Sequence, residues 1–110
     1  MPITDSLGTK KWYINGTLHR EDGPAIVLFN GDKFWYFCGV LHRLDGPAIE
    51  LANGQKEWFV RGHRHRTDGP AIIWCNNDQE WFINGTWQTQ SQIIALKSKE
   101  LNYNWSKEGF

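Results

Sequence analysis

Residues 35–48 read Trp-Tyr-Phe-Cys-Gly-Val-Leu-His-Arg-Leu-Asp-Gly-Pro-Ala, and this stretch decides the fold because the chain repeats it. Written in rows of 23 residues, the sequence aligns without a gap, and residues 12–25 and 58–71 carry the same pattern. Each copy has a tryptophan, a glycine four positions later, and the block His-Arg-x-Asp-Gly-Pro-Ala. A strict period of this length predicts a repeat protein whose units pack against their neighbours.

The repeat divides the chain into two parts. We expect residues 1–88 to form a β-hairpin repeat domain and residues 89–110 to form a capping helix and tail. In the repeat domain we expect a half unit at 1–8, full units at about 9–31, 32–54 and 55–77, and a degenerate unit at 78–88. The degenerate unit begins with the repeat pattern and then loses the His-Arg-x-Asp block, as expected of an end unit that closes the stack.

Each unit has the composition of a β-hairpin. Its aromatic and β-branched runs fit a pleated surface, and Asn30-Gly31 and Asn53-Gly54 between such runs are strong turn signals. We predict eight short antiparallel strands, at about residues 2–6, 10–15, 24–29, 33–38, 47–52, 56–61, 70–75 and 79–84. The predicted fold class is all-β: an antiparallel meander of 23-residue hairpins in a twisted sheet or solenoid, with a C-terminal capping helix.

The C-terminal segment contains a signal for the start of that helix. Thr89-Gln90-Ser91-Gln92 fits a capping box, with the threonine as N-cap. A helix from about residue 90 to 101 would cover the edge of the last hairpin with four apolar side chains, Ile93, Ile94, Leu96 and Leu101.

Alternation of side chains along a strand predicts which residues share a face of the sheet. Trp35 and Phe37 point the same way, and so do Ile26 and Leu28 in a partner strand. Because the equivalent sets are apolar throughout, we expect them to form one core face together. The opposite face would carry a half-buried aromatic stripe in a polar frame, formed by Tyr13, Tyr36, Phe59 and Phe82.

Composition restricts the class of protein. The chain has 110 residues, with 12 basic and 12 acidic side chains, and zero net charge disfavours a nucleic-acid partner. Two cysteines make no disulfide framework, no apolar run is long enough to cross a membrane, and residues 1–5 lack the features of a secretory signal. We therefore expect a cytoplasmic protein with no membrane span and no cofactor.

The unit resembles a known family. The string from Trp12-Tyr13-Ile14-Asn15-Gly16 to Ala25 is similar to a divergent form of the MORN repeat, a β-hairpin module, met in bacteriophage and some large-virus proteins. The resemblance covers about residues 1–88, and the chain departs from ordinary MORN units in its Gly-Pro pairs and in the arginines that stand where glycine is usual. It implies a hairpin solenoid that contacts partners and has no catalytic residues, located in the host cytoplasm if the protein is viral.

The recurring His-Arg-x-Asp block has a structural interpretation. Equivalent residues of successive units should lie roughly 9–10 Å apart, two strand spacings, so His19, His42 and His65 cannot share one metal ion. A catalytic site brings unlike groups together, whereas here the same side chains recur at a fixed period. We expect each arginine to pair with an aspartate of its own or the neighbouring loop, each pair to be partly buried, and each loop glycine to supply an unusual φ.

The same loops have a functional interpretation as a binding edge. Arginines in a row offer planar forks to carboxylate or phosphate groups. Residues 61–66 depart from the repeat because Arg61, His63 and Arg64 have no counterpart in the other units. We predict contact with a protein partner that has an acidic patch, through His19, Arg20, His42, Arg43, Arg61, His63, Arg64, His65 and Arg66.

The aromatic stripe is a second candidate surface, represented by Tyr13, Tyr36 and Phe59. Nucleobases stack on such rings, but packing under the C-terminal helix or in a homo-oligomer interface explains them better in a chain of zero net charge.

Taken with the phage resemblance, these features predict a non-enzymatic interaction module that binds and inhibits or redirects a bacterial host protein. The alternative is a sequesterer of a nucleotide or another small anionic ligand, held by the Arg/His loops within a homo-oligomer. A hydrolase that uses loop histidines and aspartates is the third class.

Overall fold

Sixteen two-residue β-strands follow one another along residues 2–95, the part of the chain that the computed structural model describes. In chain order they are β1 Ile3–Thr4, β2 Lys10–Lys11, β3 Tyr13–Ile14, β4 Thr17–Leu18, β5 Ile26–Val27, β6 Lys33–Phe34, β7 Tyr36–Phe37, β8 Val40–Leu41, β9 Ile49–Glu50, β10 Lys56–Glu57, β11 Phe59–Val60, β12 His63–Arg64, β13 Ile72–Ile73, β14 Gln79–Glu80, β15 Phe82–Ile83 and β16 Thr86–Trp87.

Eight of these strands form one antiparallel main sheet, in the order β1-β2-β5-β6-β9-β10-β13-β14. The other eight form four separate two-stranded hairpins, β3-β4, β7-β8, β11-β12 and β15-β16. The arrangement confirms the predicted all-β meander of hairpins.

Each tryptophan of the repeat marks the point at which the chain leaves the main sheet. The Trp35 N–H donates to the Ala48 carbonyl in the main sheet at 2.8 Å, whereas the Trp35 carbonyl accepts from the His42 N–H of the separate hairpin at 3.1 Å. The strand predicted at residues 33–38 is therefore two strands, β6 and β7, with different partners. Trp12 and Trp58 make the same switch.

The separate hairpins turn where a strand end and a longer loop were predicted. Asn15 and Gly16 have φ values of 53° and 77°, which fits a two-residue hairpin turn with positive φ at both central positions. Cys38 and Arg61 occupy the first position of this turn in the next two units, with φ values of 50° and 53°. The segment expected to be a loop therefore begins with a strand, such as β4, that the eight predicted strands omit.

The register of the main sheet places on opposite faces two sets of apolar side chains that alternation alone had assigned to one face. Phe34 pairs with Ile26 on one side and with Ile49 on the other, so these three share a face. Trp35, the next residue, then lies on the opposite face. The prediction of one shared core face was wrong because alternation assigns faces within a strand, whereas the register decides which faces of neighbouring strands coincide.

Two faces follow from this register. In the main sheet the isoleucine face carries Ile26, Phe34, Ile49 and Ile72, and Phe59 of the hairpin β11-β12 packs with Ile49 in the core. The tryptophan face carries Trp12, Trp35 and Trp58, and alternation along the chain continues it to Ile14 and Phe37 in the hairpins. Ile49 and Phe59 are only 9% and 8% exposed, and they form the centre of the packed core. The isoleucine face therefore contributes the buried core. Side chains of the tryptophan face such as Ile14 and Phe37 are more exposed.

A short helix at residues 90–95 follows the last hairpin. The Gln92 N–H donates to Thr89 Oγ1 at 3.2 Å and the Thr89 N–H donates to Gln92 Oε1 at 2.7 Å, so the predicted capping box is confirmed. The predicted continuation to residue 101 lies outside the described residues. Within residues 2–95, no helix is long and apolar enough to span a membrane.

Candidate interaction surface

The second His-Arg-x-Asp loop shows how the repeated block is built. The Arg43 guanidinium stacks on Trp35, with Cζ 3.9 Å from the ring centre. Its Nε donates to Asp45 Oδ1 at 3.0 Å and its Nη1 donates to the Pro47 carbonyl at 3.0 Å. Nη1 also donates to Glu50 Oε2 in the main sheet at 3.0 Å. The arginine therefore holds its own loop against the tryptophan face.

The first and third loops repeat the stacking, the aspartate pair and the proline bond: Arg20 with Trp12, Asp22 and Pro24, and Arg66 with Trp58, Asp68 and Pro70. Each arginine thus pairs within its own loop. The three arginine side chains are 21–25% exposed, but the three aspartate side chains are 76–87% exposed. The expected partial burial holds for the arginines and is wrong for the aspartates.

The loop glycines make room for the arginines. A Cβ at Gly46 would lie 2.9 Å from Arg43 Cζ, and Cβ atoms at Gly23 and Gly69 would lie equally close to their own arginines, at 2.9 and 2.8 Å. These three glycines are not among the residues with positive φ. The expected unusual φ was therefore wrong, and the missing side chain is what the guanidinium requires.

The loop histidines join each repeat to the next. The Arg61 N–H, at the turn of the following hairpin, donates to His42 Nδ1 at 2.9 Å. The Cys38 N–H donates in the same way to His19 Nδ1 at 2.8 Å, and the third bond of this kind, at 2.9 Å, reaches His65. The three imidazoles are therefore held one per repeat, and residues 2–95 contain no group of three His, Cys, Asp or Glu side chains arranged to hold a metal ion.

Arg64, one of the non-repeated cations, belongs to the isoleucine face. Its Nε and Nη2 both lie 3.0 Å from Glu57 Oε1, and Glu57 is only 8% exposed. In the preceding unit Phe34 and Leu41 occupy the equivalent positions and pack against the core. The third unit thus replaces an apolar contact with an ion pair, so the charge of Arg64 reflects packing.

The other two non-repeated cations are exposed. Arg61 and His63 lie at the tip of the hairpin β11-β12, where the Arg61 backbone bonds to His42 of the second loop and both residues are exposed. Because the loop arginines are held inward, the predicted contact with an acidic partner now depends on these two side chains.

The aromatic stripe is not uniform. Tyr13 is exposed, Tyr36 is half-buried and Phe59 is buried in the core. A row of exposed rings is what stacking of successive bases requires. The structure therefore does not bring these three rings together as an open platform.

Two grooves on the tryptophan face separate the three loops. The first, of about 620 Å³, lies between the first and second loops, and its floor contains Trp35 and Phe37. The second, of about 600 Å³, lies between the second and third loops, and its floor contains Trp58 and Val60. Each groove has arginine–aspartate pairs on both sides and one loop histidine in its lining, His42 or His65.

Exposed apolar side chains lie in the first groove and beside it, where Val40 pairs with Phe37 across the hairpin β7-β8. Leu44, at the variable position of the second loop, is 80% exposed and lines both grooves. Phe37, Val40 and Ile14 are 44–50% exposed and lie at the hairpin end of the same face. Sequence reasoning missed this patch, although an apolar residue at the loop position that holds Glu21 and Thr67 in the other units was a readable signal.

The charge of one loop carboxylate is stabilised by its arginine. The hydrogen bond from Arg20, together with the positive charge of that guanidinium, holds the pKa of Asp22 below its usual value. This carboxylate therefore stays ionised at neutral pH and presents negative charge at the rim of the first groove.

Comparison with known protein families, with curated proteins and with solved structures finds no match for this chain.

Proposed function

We propose that the protein is a non-enzymatic interaction module that binds a protein partner along its tryptophan face. The observation that carries the proposal is the apolar patch beside the grooves, above all Leu44 at 80% exposure with Phe37 and Val40 close to half exposed. Apolar side chains grouped on one face of a small protein, with a charged rim, are typical of interaction sites.

The use of the titratable side chains supports a role other than catalysis. Arg43 is held by a ring, a carboxylate and a carbonyl, and His42 accepts a backbone hydrogen bond from the next repeat. The same contacts recur in the other two loops. Catalysis requires unlike groups that converge on one substrate, and this surface offers like groups in a row.

We also propose the class of protein that this surface binds. The resemblance to divergent MORN-like repeats of bacteriophages leads us to propose a bacterial host protein, which this chain would inhibit or redirect.

A small anionic ligand is the alternative, and it has less support. Each loop arginine already donates to a carboxylate, so the phosphate of a nucleotide would have to approach beside the exposed negative charge of Asp22, Asp45 or Asp68. A thermal-shift screen with nucleotides tests this function: stabilisation by several degrees with one nucleotide would favour the alternative over a protein partner.

Affinity capture from bacterial lysate, followed by mass spectrometry, tests the proposed function with a matched pair of variants. Val40→Ser with Leu44→Ser removes exposed apolar side chains from the tryptophan face, whereas Leu7→Ser with Phe29→Ser removes exposed apolar side chains outside the grooves. We expect a protein captured by the wild type to be lost with the first pair and retained with the second. Retention by both, or loss with the second pair alone, would contradict the proposal.

A further inference from the structure

The two grooves repeat with the period of the hairpins. Because each unit contributes two strands to the main sheet, equivalent points of the two grooves are about 9.4–9.8 Å apart along it. The second loop forms one wall of each groove, so the grooves are adjacent. Two adjacent grooves at this separation fit an extended peptide segment in which side chains on one side recur at the same interval.

The negative charge of the aspartates at the rims of the grooves favours a segment with positively charged side chains. In each loop the arginine Nε donates to Oδ1 of the aspartate, and the aspartate side chain remains 76–87% exposed to solvent. Asp22 and Asp45 flank the first groove, and Asp45 and Asp68 flank the second. A cationic side chain between two exposed carboxylates is the complementary partner group.

The floor and the histidine of each groove suit the rest of such a residue. Phe37 in the first groove and Val60 in the second offer apolar surface to the methylene stem of an arginine or lysine. His42 and His65 accept backbone hydrogen bonds at Nδ1, so the neutral imidazole carries its hydrogen at Nε2. That N–H can donate to a backbone carbonyl of the bound segment.

Building on the proposed protein-binding function, we propose that the tryptophan face binds a polyproline II segment of the partner with a cationic residue at every third position, one in each groove. Polyproline II has three residues per turn and rises about 3.1 Å per residue, so every third side chain points the same way about 9.3 Å further along. A β-strand does not match, because its side chains on one side repeat at about 6.6 Å. Proline-rich segments also dock in grooves lined by aromatic side chains, as Trp35 and Trp58 line these.

Fluorescence anisotropy of a labelled peptide, Pro-Pro-Arg-Pro-Pro-Arg-Pro-Pro, with the full chain tests the proposal. We expect saturable binding that weakens as the salt concentration rises. Two control peptides place the arginines two or four positions apart, and each should bind about fivefold more weakly because one cation misses its groove. A third carries glutamate for arginine and should not bind. No binding of the first peptide, equal binding at all three spacings, or preference for glutamate would overturn the proposal.

Single substitutions of exposed aspartates locate the binding site. Asp45→Asn keeps an oxygen that can accept from Arg43 but removes the charge shared by both grooves, so the peptide should bind about fivefold more weakly. Asp68→Asn affects one groove and should weaken binding about twofold. Asp78→Asn, an exposed carboxylate outside the grooves, should leave binding unchanged. Thermal unfolding of each variant checks that the fold is intact. Equal effects of all three would show that the peptide binds elsewhere and would overturn the proposal.

The two sets of experiments separate this inference from the proposed function. If the arginine peptide does not bind but the Val40→Ser, Leu44→Ser pair still abolishes capture of a protein, the polyproline proposal is wrong and the interaction function stands. If the peptide does not bind and the serine pair leaves capture unchanged, both proposals are wrong.

Discussion

Replacing Gly46 with alanine tests whether the loop glycine makes room for the arginine. The added Cβ would lie 2.9 Å from Arg43 Cζ, closer than two carbon atoms pack, so the guanidinium must move. The move loses stacking on Trp35 and the bond to the Pro47 carbonyl, about 1 kcal/mol each, and about 0.5 kcal/mol in total from the ion pairs with Asp45 and Glu50. Alanine in place of glycine otherwise stabilises by about 0.5 kcal/mol. The free energy of unfolding should therefore fall by about 2 kcal/mol.

A double-mutant cycle supplies the control. In an Arg43→Ala background the clash no longer exists, so the same Gly46→Ala substitution should stabilise the protein by about 0.5 kcal/mol. Urea unfolding followed by tryptophan fluorescence measures the four free energies. An equal cost of Gly46→Ala in both backgrounds would refute the claim that this glycine serves the arginine.

Three further predictions concern the other contacts of the repeats. His42→Asn should keep an acceptor near the position of Nδ1 and most of the stability, whereas His42→Ala should lose about 1 kcal/mol in urea unfolding; equal losses would refute the bond between repeats. Arg64→Leu alone should cost about 2 kcal/mol because Glu57 stays buried with a hydrogen bond from Gln55 but without its cationic partner, and adding Glu57→Phe should restore stability; failure of that rescue would contradict the interpretation of the ion pair as a replaced apolar contact. Since the pKa of Asp22 is lowered by Arg20, this pair stabilises the fold above the ordinary aspartate pKa and ceases to do so as pH falls through the lowered pKa. An NMR titration should show the low midpoint and its return to the ordinary value in Arg20→Gln; an unchanged midpoint in that variant would show that Arg20 is not the cause of the lowered pKa.

The period of the tryptophans was sufficient to predict the main sheet, since a hairpin repeat at fixed spacing has few ways to stack. It was not sufficient to predict the second row of turns. Asn15-Gly16 was readable as a turn, but Cys38-Gly39 and Arg61-Gly62 carry no such signal at their first position. Those residues are held at positive φ by the fold, and backbone bonds from Cys38 and Arg61 to the preceding histidines help to hold them there.

The sequence was also sufficient for only part of the candidate site. The sequence identified the loops and predicted that each arginine pairs with an aspartate of its own or the neighbouring loop, and the structure shows that Arg43 pairs with Asp45 of its own loop. It could not show that the arginine is the shielded partner and the aspartate the exposed one. That depends on Trp35 lying beneath the arginine, a contact formed by the hairpin β7-β8, whose second strand the eight predicted strands omit. Arg64 was assigned to the surface because its partner, Glu57, lies on another strand of the unit.

The hydrogen bonds between neighbouring repeats give the most direct test of the claim that the recurring loop side chains hold this fold together. Nitrogen–nitrogen couplings across N–H···N bonds are measurable by NMR in the isotopically labelled protein. We predict couplings from three backbone amides to three histidine Nδ1 atoms: Cys38 to His19, Arg61 to His42 and Asn84 to His65. The absence of all three couplings, with the imidazole proton found on Nδ1, would contradict the claim.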